Sequence, residues 1–367
     1  MKQQNKIGYL LPGSVDGRSW ITDAKRSLRA NLGFGVPVMV YVAIALTVAS
    51  TTGGMRRFFL LDYAPLFILM TVVMVIAFLL GRAFYVTLIV IPPRPFAAMV
   101  ADWSFYLTRS RVFDTVLVMV LLSTFMSAFI SLKNMIPIVH PYNWDRRLMT
   151  VDNALHFGIP PWRLLQPILG YPIVTGMLSV VYGSWIFVLA GCCFWLAFDD
   201  GDQRLRMQFF VTFILCFALL GNLLATRLAS GGPCFYGLLV DGPDPYSPLM
   251  HYLRLANQQV PLNWSFAAQD MLWHNYATGS LGLDTGISAM PSLHVAGATL
   301  CSLLGWRINR KLGITFSVYT GLIMIGSVHL AWHYAIDGYV AIIGTLAIWW
   351  AVGKVSCRFG MPRWPEA

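Results

Sequence analysis

The sequence predicts an all-α fold, a polytopic membrane helical bundle with about eight transmembrane helices. Of the 367 residues, 57% are hydrophobic and only 11% are charged. Soluble proteins carry about 25% charged residues, so this chain has more apolar surface than one soluble core could bury. Apolar runs of about 20 residues, the length that crosses a bilayer as a helix, also recur along the chain. They cover residues 34–52, 59–80, 113–132, 173–198, 207–225, 288–306, 312–331 and 333–353.

One further apolar stretch, "AFYVTLIVIP" at 83–92, is too short to cross a bilayer alone. It either lies in the membrane interface or extends the second span.

The polar segments between the runs predict the orientation of the chain. With the N-terminus inside, the inner segments hold 18 Lys and Arg residues and the outer segments hold 8. Because Lys and Arg are enriched in cytoplasmic loops, this bias predicts a multi-pass protein of the cell membrane with both chain ends inside. The predicted parts are a cytoplasmic N-terminal segment at 1–33, spans one to five at 34–225, an ordered outer loop at 226–287, the last three spans at 288–353 and a cytoplasmic tail at 354–367.

Composition also excludes several classes of partner. The net charge is +10, but the 26 Lys and Arg residues lie in short clusters between apolar runs and form no basic face, so topology control explains them and no nucleic-acid partner is predicted. The six cysteines show neither a disulfide framework nor metal-ligand spacing. The acidic cluster at 199–202 is interpreted as a solvated loop, and neither a metal nor another cofactor is predicted.

Two long outer loops, at 133–172 and 226–287, are rich in Trp, Tyr, Phe and Leu, which disordered linkers lack. We expect them to form an ordered lid over the outer mouth of the bundle. The alternative is a belt of interfacial aromatic side chains. In the first loop, Thr150 or Asp152 is a candidate cap for a short helix.

Two stretches near the end of the chain carry chemistry. "GISAMPSLHVA" places His294 at the start of the sixth span, and "SVHLAWHYAIDGYVA" places His329, His333 and Asp337 at the junction of the last two. His333 and Asp337 are four residues apart, so on a helix they share a face. The carboxylate can then accept a proton from one imidazole nitrogen and leave the other free as a base or nucleophile. His329 either supports this pair or lies in the interface.

Topology brings the two stretches together. From His294 the chain crosses the membrane, turns at the basic "RINRK" and crosses back to His333, so both histidines return to one face, predicted to be the outer one. We expect room between them for one small anionic group. Such a pair fits an in-line displacement, with one His as nucleophile and the other protonating the leaving oxygen. Ser292 lies at a helix start, where free N–H groups favour an anion.

These residues carry a resemblance. "MPSLH" and "HYAID" resemble the second and third signature motifs of the type 2 phosphatidic acid phosphatase superfamily. They are more similar to its inositol phosphorylceramide synthase-like branch, where Pro-Ser-Leu-His replaces Pro-Ser-Gly-His and His-Tyr precedes the Asp. "SGGPCFY" at 230–236 resembles the Gly-Pro-aromatic stretch upstream of those motifs, and the specific resemblance covers about 230–340.

The resemblance implies an enzyme that acts on a membrane phospholipid. It implies that His333 is the nucleophile that forms a phosphohistidine, that Asp337 orients it, that His294 is the general acid and that Ser292 donates to a phosphate oxygen.

The sequence also departs from the phosphatase pattern. The first signature, a Lys followed seven residues later by Arg-Pro, is absent, because Arg94-Pro95 has Thr87 at the Lys position and lies on the predicted inner side. The Arg expected six residues before the nucleophile is Ser327. Fewer fixed cations suit a phosphodiester, with one negative charge, better than a phosphomonoester. The outer loops can supply cations instead. We expect Arg227 and Arg254 to bind the substrate, and Arg147 and Lys133 are further candidates.

The predicted function is therefore transfer of a phospho-head-group from a membrane phospholipid to a lipid or polyol acceptor. A lipid phosphate phosphatase of the same superfamily is the alternative within this class. A membrane transporter is the alternative from another class, but its polar residues would line a midplane pathway, often with internal repeats, and no repeat is evident here.

Overall fold

The computed structural model describes residues 20–199, 201–262, 264–280 and 286–358, and within these ranges the chain is all-helical, with no strand. Residues 1–19 of the predicted N-terminal segment and 359–367 of the predicted tail lie outside the described residues. The first helices are α1 Trp20–Ala30, α2 Leu32–Thr51, α3 Ala64–Phe84, α4 Pro95–Tyr106, α5 Arg109–Val139, α6 Asp145–Leu155, α7 Pro161–Leu169, α8 Pro172–Gly183 and α9 Trp185–Phe198. The remaining ones are α10 Gln203–Leu215, α11 Ala225–Arg227, α12 Tyr236–Leu239, α13 Ser247–Gln259, α14 Ser265–Thr278, α15 Leu293–Ile308, α16 Arg310–His329 and α17 Ala335–Arg358.

Seven helical stretches among the described residues are long and apolar enough to cross a membrane, which confirms a multi-pass membrane bundle. They are Leu32–Thr51, Ala64–Val90, Arg109–Val139, Pro172–Phe198, Gln203–Arg227, Arg310–His329 and Ala335–Val355. The second stretch continues from α3 through a π-helical segment, Tyr85–Val90. The short apolar run at 83–92 therefore extends the second span.

The predicted sixth span, 288–306, is shorter than expected. Its helix, α15, has 16 residues, about 24 Å at the usual helical rise, and begins only at Leu293. Pro291 cannot donate a backbone hydrogen bond and Ser292 caps the helix, so the preceding residues are not helical.

The helices α15 and α16 form a tight antiparallel hairpin that compensates for this short length. A Cβ at Gly313 would lie 2.5 Å from the Trp306 ring, so only glycine permits this approach of the two helices. Because α15 runs antiparallel to α16, His294 lies at the end of the bundle where α16 finishes. We call this end, marked by His294 and His333, the histidine end.

The centre of the bundle is built from aromatic side chains of α5 and the α10 segment. The rings of Phe213 and Phe217 stack with centroids 4.4 Å apart, and Phe129 meets Phe217 edge-on at 5.1 Å. In contrast, no residue of α3 is buried, which leaves its apolar side chains facing outward, as expected of a helix surrounded by lipid. The packed core thus lies on the side of the bundle that carries the C-terminal helices.

Both long loops contain helices that pack onto the histidine end. α14 is fixed by Trp264, whose Nε1 donates to the carbonyl of Ser179 (3.0 Å), and by Gln269, whose Nε2 donates to the carbonyl of Leu330 (3.1 Å). In the first loop, α6 begins at Asp145 after Trp144, and neither Thr150 nor Asp152 caps it. Asp152 instead caps α17, because α6 lies across the start of that helix.

Candidate active site

His294 and His333 meet at the histidine end. His333 Nε2 lies 3.3 Å from His294 Nδ1, and the two ring centroids are 5.4 Å apart. This is a direct hydrogen-bond distance, so the expected gap between the rings is closed in this arrangement. The antiparallel α15 and α16 bring the rings together, as the sequence order predicts.

The backbone between α16 and α17 fixes His333. Ala331 adopts a left-handed conformation (φ 61°), which ends the helix within one turn. The N–H of His333 then donates to the carbonyl of Ser327 at 3.0 Å. Ser327, which occupies the position of an expected Arg, therefore contributes a backbone acceptor that holds His333.

His329 does not share the face of His333, because this turn interrupts the helix. It is fully buried, and its Nε2 lies 2.9 Å from Thr175 Oγ1, which in turn lies 2.7 Å from the Tyr252 hydroxyl. His329 thus links the turn between α16 and α17 to α8 and α13.

The hydrogen bonds of His333 define its tautomer. Nδ1 lies 2.8 Å from the carbonyl of Ala289, and a carbonyl only accepts, so Nδ1 carries the proton. In the neutral ring Nε2 then carries the lone pair. With a neutral His333 ring, the 3.3 Å contact is a hydrogen bond that the Nδ1–H of His294 donates to this lone pair. His333 therefore presents a basic nitrogen and His294 a proton.

Asp337 joins the two motif segments. Its Oδ2 lies 3.4 Å from His333 Nδ1 and accepts from the N–H of Tyr334 at 3.0 Å. Its backbone carbonyl accepts from the N–H of Ser292 at 3.2 Å. The shorter bond to Ala289 makes the backbone carbonyl the main acceptor for His333, and the carboxylate supplements it.

Ser292 is fully buried at the start of α15, where its Oγ accepts from the N–H of Val295 at 3.4 Å. The first helical N–H groups, on Leu293 and His294, have no partner within the helix. The half-buried ring of His294 stacks on Tyr182 at 4.6 Å, with Trp185 tilted against it at the same distance. An aromatic wall thus encloses one side of the general-acid candidate.

Asp145 is a supporting residue that the sequence analysis missed. Its buried carboxylate accepts from the N–H groups of Gly231 (2.9 Å) and Gly232 (2.8 Å) and from the hydroxyl of Tyr334 (2.9 Å). Gly232 has a φ of 97°, and a Cβ there would lie 2.6 Å from the carbonyl oxygen of Trp332, so glycine is required. Asp145 therefore fixes the loop that precedes "MPSLH" against the turn that carries "HYAID".

Asp152 plays a parallel role seven residues later on the same face of α6. Its carboxylate accepts from the N–H groups of Ala335 (3.1 Å) and Ile336 (2.9 Å), the first residues of α17. Burial raises the pKa of both Asp145 and Asp152, and the donated N–H groups oppose that rise. The sequence contained one sign of this shared role: the two aspartates are seven residues apart, a spacing that places them on one face of a helix.

Of the candidate cations, Lys133 interacts with the pair. It is half-buried near the end of α5 and is close enough to His294 for an electrostatic interaction. Arg227 is exposed and lines a cavity with side chains of α2 and α5, whereas Arg254 lines a cavity between α13 and α14. Arg147 lies over the ring of Trp144, 5.1 Å from its centroid.

No group of three or more His, Cys, Asp or Glu side chains that could hold a metal ion occurs among the described residues. The histidine pair, two supporting aspartates and a lysine lie together at one end of a membrane helical bundle, an arrangement typical of a membrane enzyme.

The comparisons with known proteins define the family. A profile of the PAP2 superfamily, the type 2 phosphatidic acid phosphatases and their relatives, matches residues 146–351, which is more than half of the chain. The chain therefore belongs to the PAP2 superfamily, whose members are phosphatases or phosphotransferases. Searches of curated proteins and of solved structures found no match. The matched region contains both histidine motifs and Asp152, whereas Lys133 and Asp145 precede it.

Proposed function

We propose that this protein is a lipid phosphotransferase that moves a phospho-head-group between lipids through a phosphohistidine on His333, as in the inositol phosphorylceramide synthase-like branch. The observation that carries the proposal is the hydrogen bond from His294 Nδ1 to His333 Nε2 (3.3 Å). It presents a lone pair and a proton side by side, which are the two groups that nucleophilic displacement at phosphorus needs.

In the first half-reaction, His333 Nε2 attacks phosphorus. The N–P bond forms as the bond from phosphorus to the leaving oxygen breaks, and protonated His294 gives its proton to that oxygen. The Nδ1–H of His333 remains hydrogen-bonded to the carbonyl of Ala289, with the carboxylate of Asp337 beside it. These two groups stabilise the positive charge that develops on the ring.

Substrate entry requires the two rings to part. His333 is held through its N–H by Ser327 and through Nδ1 by Ala289, whereas His294 is half-buried in the first turn of α15. We therefore assign the movement to the His294 side chain. The phosphate oxygens then meet the Ser292 hydroxyl and the free N–H groups at the start of α15.

In the second half-reaction, an acceptor hydroxyl oxygen attacks the phosphohistidine. The new O–P bond forms as the N–P bond to His333 breaks, and the hydroxyl proton passes to His294, which restores the starting state. Water at the same position would give hydrolysis, so the acceptor alone separates a transferase from a phosphatase.

The charge of the site favours a phosphodiester donor. Lys133 is the cation near His294, and Ser327 stands where a second would be expected. A phosphomonoester carries nearly two negative charges at neutral pH, whereas a diester carries one. One nearby cation matches one charge, which supports head-group transfer over phosphatidate hydrolysis. Arg227 and Arg254 are assigned to substrate binding at a distance from the phosphorus, on the head group of an incoming lipid.

We place the site on the outer face of the cell membrane. Arg307 at the end of α15 and Arg310 and Lys311 at the start of α16 flank the turn between these helices, and the Lys and Arg bias puts that end inside. The histidine end is then outside, where donor and acceptor lipids of the outer leaflet have access.

The deciding experiment gives purified protein a phospholipid diester labelled in its head group and titrates a hydroxyl-bearing lipid. We expect a new labelled lipid that forms faster than free phosphate or free phospho-head-group appears, and a ratio of the products that rises with acceptor. His333→Ala, assayed alongside, should give neither product. Phosphate release from a monoester at a rate independent of acceptor, with no labelled lipid from any diester, would identify a phosphatase.

A further inference from the structure

A cavity of about 550 Å³ lies between α13, α14 and the 234–238 segment. This volume falls within the range of small-molecule binding sites. The cavity is distinct from the histidine pair but adjoins the turn at 330–334 between α16 and α17, which we call the catalytic turn on the function proposed above. Two of the residues that line the cavity hold this turn. The N–H of Cys234 donates to the carbonyl of Ala331 (2.9 Å), and Gln269 Nε2 donates to the carbonyl of Leu330 (3.1 Å).

Gln269 supplies an independent sign that the cavity binds a polar group. Its side chain is 3% exposed, and its Oε1 has no hydrogen-bond partner among the described residues. A buried acceptor without a partner costs free energy unless a donor reaches it. Because Gln269 lines the cavity, a ligand there can provide that donor.

The remaining polar lining is composed of groups that recognise hydroxyls. Gln258 offers amide donors and an acceptor, Asp270 offers acceptors, and Arg254 offers donors. The ring of Trp273 supplies an apolar face of the kind that packs against C–H groups.

The charge of the lining argues against an anion. One cation, Arg254, and one carboxylate, Asp270, line the cavity, so their charges cancel. A phosphate-binding cavity would require an excess of positive charge. Amides, opposite charges and an aromatic face instead match an uncharged group with several hydroxyls.

We propose that this cavity binds an uncharged polyhydroxyl group beside the catalytic turn. As a second ligand position for the reaction, it rests on the function proposed above, and its occupant has two possible sources. A free polyol would be the acceptor whose hydroxyl attacks the phosphohistidine, and a polyol head group would belong to the donor phospholipid.

Binding is tested without turnover, by titrating the purified full-length protein in detergent with sorbitol and myo-inositol. We expect a saturable change in tryptophan emission that Trp273→Phe removes. Gln258→Ala and Asp270→Asn should raise the half-saturating concentration roughly three- to tenfold, since each removes hydrogen bonds to the ligand. Gln259→Ala is the matched control, because Gln259 is the next residue of α13, is also exposed and does not line the cavity, and it should leave the midpoint unchanged.

A turnover assay with a labelled phosphodiester lipid separates the two sources. A free acceptor gives a labelled polyol phosphodiester, and Gln258→Ala then raises the half-saturating polyol concentration without changing the KM for donor. A bound donor head group makes the same polyols competitive inhibitors that raise the KM for donor, with no new product.

The inference is overturned if no polyol binds saturably, if Gln258→Ala and Gln259→Ala weaken binding equally, or if inorganic phosphate or phosphocholine binds more tightly than the polyols. Failure of the proposed function gives a different pattern, namely full turnover in His333→Ala with polyol binding intact.

Discussion

His333 Nε2 lies 3.3 Å from His294 Nδ1, although 39 residues and two helices separate them in the chain. The bond has a direction, because the carbonyl of Ala289 holds the proton on the other nitrogen of His333. The two histidines are therefore not equivalent, and each predicted role can be tested on its own.

Replacing each histidine should give different substrate profiles. His333→Ala should abolish turnover of all substrates, because no phosphohistidine can form. His294→Ala should lose roughly 100- to 10,000-fold with an alkyl leaving group and much less with a nitrophenyl ester, whose leaving oxygen needs no proton. Steady-state rates on both substrates measure the difference. His251→Ala, an exposed change on α13, is the control, and equal losses for His294→Ala on both substrates would contradict the assignment.

Asp145→Asn should destabilise the site from a distance. Its carboxylate accepts from Gly231, Gly232 and Tyr334, and an amide presents only one acceptor oxygen, so buried donors lose their partners. We expect a loss of about 1–3 kcal/mol in unfolding free energy and a lower kcat. Thermal unfolding and turnover measure both effects. Asp62→Asn, at an exposed position, should change neither, and an unchanged Asp145→Asn protein would show that these bonds contribute little.

Lys133 should bind the phosphate charge. We expect Lys133→Gln to raise both the KM for a lipid phosphodiester and the inhibition constant for inorganic phosphate roughly 10- to 100-fold, because a charge-assisted bond is lost. Lys133→Arg should restore part of the affinity. Arg56→Gln, an exposed change in the segment before α3, is the charge-matched control. A loss of the same size in Arg56→Gln would point to the general surface charge instead of Lys133.

Chelators should leave activity intact, since the proposed mechanism draws only on side chains and backbone groups of the protein. The measurement is turnover after dialysis against EDTA, compared with the undialysed protein. Inhibition that one divalent ion reverses would require a metal in the reaction.

The orientation can be tested with introduced cysteines. Gln259→Cys, on α13 near the histidine end, should react with an impermeant thiol reagent added to intact cells, and Lys311→Cys should react only after permeabilisation. Both side chains are exposed, whereas a side chain at Gly313 would meet the ring of Trp306 and disturb the hairpin. Labelling of the unmodified protein sets the background. The reverse pattern would place the site on the inner side.

The sequence predicted most of the membrane bundle, because a transmembrane helix is recognised by the length of one continuous apolar segment. That length can be measured without knowledge of the tertiary structure. It overestimated the sixth span, since the hydropathy continues across Pro291 and Ser292 whereas the helix begins after them. The pairing of His294 with His333 followed from topology alone.

The supporting residues were harder to predict, because they act through contacts between segments far apart in the chain. Asp145 and Asp152 resemble ordinary polar residues of a loop helix, and only the fold shows that their partners lie on the 231–232 loop and on α17. Likewise, the sequence favoured Arg227 and Arg254 as the substrate-binding cations, whereas in the fold Lys133 is the candidate that interacts electrostatically with His294.

The placement of α6 has a consequence for how the chain matures during translation. Asp145 is synthesised 86 residues before Gly231, and Asp152 is synthesised 183 residues before Ala335, so both carboxylates must await backbone that emerges from the ribosome much later. A nascent chain that has inserted five spans contains Asp145 and Asp152 but not yet the backbone N–H groups that these carboxylates bind. The histidine pair is therefore fixed in place only when the last helix, α17, enters the bilayer, and residues 226–358 expressed alone would lack both aspartates.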